Sequence, residues 1–334
     1  MTAMIRTSTT TATGHPAPTL AELRARVQKA RHREIGNWLA RRVARPTAVY
    51  GTWMAVRLGL SAHQVSVASW LSSMAAAVAI GSGTRAMFVV GVGLAHVAFW
   101  LDHVDGQVAR WRGTASLDGT YLDYLMHHAA NLATGFALGY GLAARSGDPR
   151  WAIAGMAITG GWTLLGLHND CRYKAFFQRL KATTASYRVD GGSGGRPQPP
   201  APWPRRGLAA LTWPAYKACE PHVVLIGLSV LSLLAIVAPS LWLPSWRGGT
   251  LTMAILAPGL AVARIARAIR RGAIEDEFAR WFRPVESPMD GRSANPTSIA
   301  PTPGHRPRAV VSPNVGGPSI WPDEASGRLR RSKP

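Results

Sequence analysis

Six apolar stretches constrain this chain more than any other feature: about residues 62–81, 86–108, 120–143, 151–168, 222–243 and 248–268. Each reaches the roughly 17 residues that an α-helix needs at minimum to cross a bilayer. They are rich in Ala and Gly, which lets helices pack closely inside lipid. A soluble all-α protein would have to bury all six in one core, and their short polar connections argue against that. The fold class read from this pattern is an all-α membrane protein with six transmembrane helices. Composition agrees once the chain is divided. Apolar residues make up 47% and charged residues only 16%, against roughly 25% charged in soluble domains. The mean hydropathy of +0.02 averages apolar spans with polar ends. Two cysteines, Cys171 and Cys219, exclude a disulfide framework and a four-thiolate zinc site.

The net charge of +21 is distributed unevenly. Ten Lys and Arg precede the first span, nine lie between the fourth and fifth, and thirteen follow from Arg264 onward. The first, third and fifth connections hold one, two and one. Basic residues concentrate on the cytoplasmic side of membrane proteins, so the pattern predicts six spans, both termini in the cytoplasm and an inner-membrane location. The second connection departs from it, with only Arg110 and Arg112, because Asp102, Asp105 and Asp118 gather there.

The remaining segments divide the chain further. Residues 1–18 are Thr-rich and carry no signal-peptide pattern. Residues 19–58 form a juxtamembrane segment. Within it, 20–43 sets Leu20, Leu23, Val27, Ile35, Leu39 and Val43 at helical intervals among basic residues. This predicts an amphipathic helix on the inner leaflet, attracted to anionic membrane lipid. Residues 59–283 hold the six spans, with a flexible Gly- and Pro-rich loop at about 188–206. Residues 284–334 mix Pro, Ser, Gly and Arg without periodicity and read as a disordered tail. No nucleic-acid motif accompanies the positive charge, so no nucleic-acid partner is expected.

Acidic residues are scarce, 17 in all, yet four lie between 102 and 123. Carboxylates at a membrane boundary are costly unless cations meet them, which makes this cluster the candidate site. Asp102, Asp105, Gly106 and Ala109 share one helical stripe, with Arg110 four residues after Gly106. On the next helix Gly119, Asp123 and His127 recur every fourth residue. Oxygen ligands of this kind suit Mg²⁺ or Mn²⁺, which complete their shells with water and substrate phosphates. Arg110 adds a planar fork for a phosphate. A diphosphate-bearing substrate follows from these residues alone.

The string Asp102-x-x-Asp105-Gly106-x-x-Ala109-Arg110, eight residues, Gly119, three residues and Asp123 resembles the signature of the CDP-alcohol phosphotransferases (phosphatidyltransferases). The resemblance extends loosely over about 55–180. The opening segment Gly59-Leu60-Ser61-Ala62-His63-Gln64 often reads Thr-Pro-Asn in that family. Here Ser61 and Gln64 have capping-box spacing instead. The resemblance implies six spans behind an interfacial helix, two divalent cations on Asp102, Asp105 and Asp123, and a nucleotide site at Gly106, Ala109, Arg110 and Gly119. It implies transfer of a substituted phosphate from CDP-diacylglycerol, or another CDP-alcohol, to an alcohol acceptor. CMP is released and the product is a phospholipid. A CDP-linked small alcohol with a lipid acceptor uses the same cluster.

One position departs from the pattern. The family ends its signature with a fourth Asp, the general base for the acceptor hydroxyl, four residues beyond the third; this chain has His127. Three roles are open to it, base, metal ligand, or mark of a non-catalytic CDP-binding protein, and His127 and Asp123 are read as the catalytic residues, with His127 taking the acceptor proton. His128 and His96 read as packing histidines, and His103 flanks the motif without belonging to its pattern. The polar run His168-Asn169-Asp170-Cys171-Arg172-Tyr173-Lys174 reads as a helix end, with Arg172 and Lys174 as candidates for acceptor binding. Gly135 and Gly139 form a GxxxG that either joins helices or supports a homodimer.

Overall fold

The computed structural model describes residues 18–28, 34, 36–183, 186–189 and 208–285. Its helices are α1 (Leu20–Val27), α2 (Arg45–Arg57), α3 (Ala62–Gly81), α4 (Arg85–Arg112), α5 (Leu117–Ser146) and α6 (Arg150–Lys181). They continue with α7 (Leu208–Ala218), α8 (Pro221–Val237), α9 (Pro239–Arg270) and α10 (Ala273–Trp281). Two short strands, β1 (Tyr187–Val189) and β2 (Phe282–Pro284), pair antiparallel with Arg188 opposite Arg283. The readings of 1–17, 190–207 and 286–334 lie outside the described residues.

The first four apolar stretches each sit inside one helix, α3 to α6. α3 begins as its sequence indicates: Ser61 Oγ accepts from the Gln64 amide, and the Gln64 side chain accepts from the Ser61 amide. Among the described residues three helices, α3, α4 and α9, are long and apolar enough to cross a membrane. α7 and α8 together supply a fourth if their 73° bend lies within one span. α5 and α6 have 30 and 32 residues but dilute their apolar positions with Gly, His, Asn and Asp.

Three expectations are corrected. The stretch 20–43 is not one amphipathic helix. α1 ends at Val27, Gly36 takes a positive φ of 90°, and Asn37 caps a new helix by accepting the Ala40 amide at 2.7 Å. That helix passes through a π-helical turn at Ala40–Ala44 into α2. The buried face of α1, Leu23 and Val27, packs on Val49 with Trp53 and Trp111 around it. The boundary between the last two stretches also moves. The chain breaks at Ala238 and Pro239 opens α9, so Trp242 and Trp246 belong to its first turns; proline lacks an N–H and fits a helix's first turn. Finally, a short strand pair stands within the all-α fold. Residues 188–189 and 284, assigned to a loop and a tail, are sheet, and the strand residues Tyr187 and Phe282 set their rings 5.8 Å from Phe278 and 6.1 Å from Phe176.

α3 packs along both α4 and α5, and α6 lies against α5 and α9. The main core is centred on Ile80, Phe88, Leu142, Ile158, Trp242 and Trp246. The Phe88 ring lies 5.5 and 4.8 Å from those of Trp242 and Trp246. Gly135 and Gly139 are spent within the chain: a Cβ at Gly139 would sit 2.2 Å from Trp151 O and 2.3 Å from Gly155 N of α6. The GxxxG therefore joins α5 to α6.

The other end of α4 is bound to α2. Gln107, 1% exposed, donates to Arg45 O at 3.1 Å and accepts from Thr52 Oγ1 at 2.9 Å. Gln107→Leu removes one donor from the Arg45 carbonyl, which keeps Gln28 Nε2 at 3.3 Å, while Thr52 keeps its bond to Ala48 O. Thermal unfolding in detergent is expected to show a loss of about 0.5–1.5 kcal/mol.

Candidate active site

Helix length explains where the acidic residues stand. At 1.5 Å per residue, Asp102 lies about 26 Å along α4 from Arg85, close to the ~30 Å thickness of the hydrocarbon core. α4 ends at Gly113, in the left-handed conformation with φ 66°. After three residues Ser116 caps α5, its Oγ accepting from Gly119 N at 3.0 Å. Asp123 is then about 9 Å into α5, while Asp105 and Asp102 lie about 10 and 15 Å before the end of α4. The tight connection and the shared neighbour α3 turn the two acidic stripes toward each other.

Between them stands His127. Its Nε2 is 3.2 Å from Asp102 Oδ1 on α4, and its Nδ1 is 3.2 Å from Asp123 Oδ1 on its own helix. Nδ1 also lies 2.8 Å from the Asp123 main-chain oxygen. One ligand atom from each of Asp102, Asp123 and His127 falls within 4.8 Å of the others. Two carboxylates and an imidazole at that spacing fit a single divalent cation as donors.

Asp105 lies outside the trio whose donor atoms fall within 4.8 Å of one another. It is buried, and Ser66 Oγ of α3 donates to its Oδ2 at 2.7 Å. Ser66 is a contributor that the sequence did not single out, since a serine within an apolar helix carries no distinguishing signal. His103, which flanks the motif, has Nδ1 2.9 Å from Phe99 O and 3.7 Å from Asp102 Oδ2. His128 bonds across to Asp170 on α6 at 2.8 Å, and His96 to Ser229 on α8 at 2.7 Å.

The proposed nucleotide residues lie on the same two helices. A Cβ at Gly106 would come 3.3 Å from Arg110 Nη1, so glycine leaves room for the guanidinium. Arg110 Nε donates to Val27 O at 2.7 Å, which ties the motif arginine to the end of α1. Its fork is thus partly engaged by the protein itself. Ala109 O accepts from Gly113 N, closing α4. Gly119 lies beside Ser116 Oγ and His63, at 3.3 and 3.6 Å from a built Cβ.

At the acceptor candidates, Arg172 Nη1 pairs with Glu277 Oε2 at 2.9 Å, and Lys174 is exposed. Arg264 of α9, not singled out in the sequence, donates from Nη2 to Asn169 Oδ1 at 3.2 Å. Arg172 Nε and Arg264 Nη1 are both buried without a hydrogen-bond partner. α6 and α9 carry these guanidiniums to one place although 92 residues separate them in sequence.

Comparison with known proteins follows the same residues. Residues 60–179 match the family model described as CDP-alcohol phosphatidyltransferase. No curated protein matches the chain significantly. Among solved structures, the chain is similar to phosphatidylinositol phosphate synthase of Mycobacterium tuberculosis with CDP-DAG bound. The identity is 20% and the TM-score 0.43, over 67% of this chain and 92% of that one. The same enzyme in complex with manganese and citrate matches at 19% identity and a TM-score of 0.41, over 67% and 88%. The chain is a membrane protein whose residues 60–179 are similar to the CDP-alcohol phosphatidyltransferase family.

Proposed function

We propose that the protein transfers a phosphatidyl group from CDP-diacylglycerol to an alcohol and releases CMP, in phospholipid synthesis. The observation that carries this reading is the meeting of Asp102, Asp123 and His127 between α4 and α5, inside the matched domain. Divalent cations, Mg²⁺ or Mn²⁺, held by Asp102 and Asp123 with Asp105 behind them, would neutralise the diphosphate and the departing CMP. Gly106 gives the diphosphate close approach, and the terminal nitrogens of Arg110 face it. The acceptor hydroxyl attacks the phosphatidyl phosphorus, and the bond to the CMP oxygen breaks. Asp123, whose side chain is 46% exposed, takes the hydroxyl proton, with the His127 Nδ1–H beside it. The open nitrogens of Arg172 and Arg264 favour an acceptor that carries an anionic group.

The same reading keeps six spans, with α5 and α6 crossing inside the bundle where polar positions face other helices, and both termini in the cytoplasm. Purified full-length protein, given CDP-diacylglycerol and a panel of alcohols with Mg²⁺ or Mn²⁺, is expected to release CMP with at least one phosphorylated alcohol. The Asp105→Ala variant serves as the blank. Equal CMP release by that variant overturns the site assignment. A CDP-linked small alcohol consumed in place of CDP-diacylglycerol reverses which substrate carries the nucleotide. No release with any pair, together with a gain in His127→Asp, makes the protein a non-catalytic one.

A further inference from the structure

We propose that His127 is itself a metal ligand through Nε2, so that the cation is held by a mixed nitrogen and oxygen set. The inference rests on the proposed reading of this cluster as a divalent-metal site, and it assigns a new donor within it.

The argument begins with the tautomer. His127 Nδ1 is 2.8 Å from the Asp123 carbonyl oxygen. A carbonyl can only accept, so the hydrogen is on Nδ1. That bond runs one helical turn back along α5 and fixes the plane of the ring. Metal-binding histidines are commonly oriented in this way, with the other ring nitrogen donating to a carbonyl or carboxylate. In the neutral ring, Nε2 then carries its lone pair toward α4, where it meets Asp102 Oδ1 at 3.2 Å. Two acceptors facing each other at that distance repel unless a cation joins them.

The spacing suits a metal. Donors at right angles around a six-coordinate ion with bonds of roughly 2.1 Å stand about 3 Å apart, and opposite donors about 4.2 Å. The 3.2 Å separation matches the first figure, and the 4.8 Å limit on the whole trio accommodates the second. An aspartate at position 127 would supply oxygen instead. Imidazole suits Zn²⁺ and the later first-row ions, whereas carboxylate suits Mg²⁺ and Mn²⁺, so His127 should turn the site toward the softer ions. The competing arrangement is a proton in place of the metal, an imidazolium bridging Asp102 and Asp123.

Pulsed electron paramagnetic resonance on the full-length protein in detergent, loaded with Mn²⁺, separates these. Bound Mn²⁺ is expected to show nitrogen modulation, which changes from the ¹⁴N to the ¹⁵N pattern when histidine is isotopically labelled. His103→Gln and His128→Gln keep the signal, which excludes the two neighbouring rings. His127→Asp loses it while still binding Mn²⁺, and its preference for Zn²⁺ over Mg²⁺ falls by about tenfold or more. Mn²⁺ bound with CMP released but no nitrogen modulation overturns this proposal and leaves the enzyme reading standing. Modulation that survives in His127→Asp also overturns it. Absence of Mn²⁺ binding in the wild type overturns both. Should His127→Asp fail to fold, the labelled wild type with the His103 and His128 variants still decides the outcome.

Discussion

Asp102→Asn is expected to lower CMP release by about 10³-fold while leaving the fold intact. The substitution keeps the size of the side chain and removes one negative charge and one strong cation ligand. Removing a single preorganised electrostatic partner from an active site costs roughly 10²–10³ in kcat, and Asp102 is placed to act on more than one neighbour. Its Oδ1 faces His127 Nε2 at 3.2 Å and its Oδ2 faces His103 at 3.7 Å, so it is the carboxylate that joins the two helices. Most of the loss should fall on kcat, because the diphosphate keeps Arg110. Thermal unfolding is the control: a midpoint within a few degrees of wild type assigns the loss to chemistry. Activity within tenfold of wild type would remove Asp102 from the site.

The largest structural effect is expected at Gly139. A Cβ there meets Trp151 O at 2.2 Å and Gly155 N at 2.3 Å. Both are main-chain atoms of α6 and cannot rotate away. Overpacking a core costs about 1–3 kcal/mol when side chains can adjust, and Gly139→Leu offers no such adjustment, so the variant should not accumulate as folded protein in the membrane. Gly160→Ala is the matched control, since nothing lies within 4 Å of its Cβ. It should accumulate as wild type does. Expression with fluorescence-detected size-exclusion chromatography reads both. Normal accumulation of Gly139→Leu would mean that α5 and α6 do not pack as described.

How much of this was legible beforehand depended on the range of the interaction. Ser61 and Gln64 name the start of α3 because a capping box is complete within four residues. The Asp102–His127 signature was equally readable, since helical periodicity places its members on two stripes. The end of α1 was not. Gln28 turns to extended backbone and Gly36 to a positive φ, and nothing in the apolar spacing of 20–43 marks a break that a backbone dihedral makes. Ser66 and Arg264 were also invisible, because each acts across a helix contact rather than along its own helix.

The sequence alone determined the class of molecule and the chemistry available to it. Apolar run length decides which segments can leave water, and the scarcity of acid makes the four aspartates between 102 and 123 stand out. Tertiary structure alone decided which donors meet. Asp102 and His127 are 25 positions apart, and only the fold brings Nε2 to 3.2 Å from a carboxylate, while Asp105 turns to Ser66. The reason is geometric: periodicity defines the face of a helix, whereas the rotation and depth at which two faces meet are set by packing on a third helix, here α3.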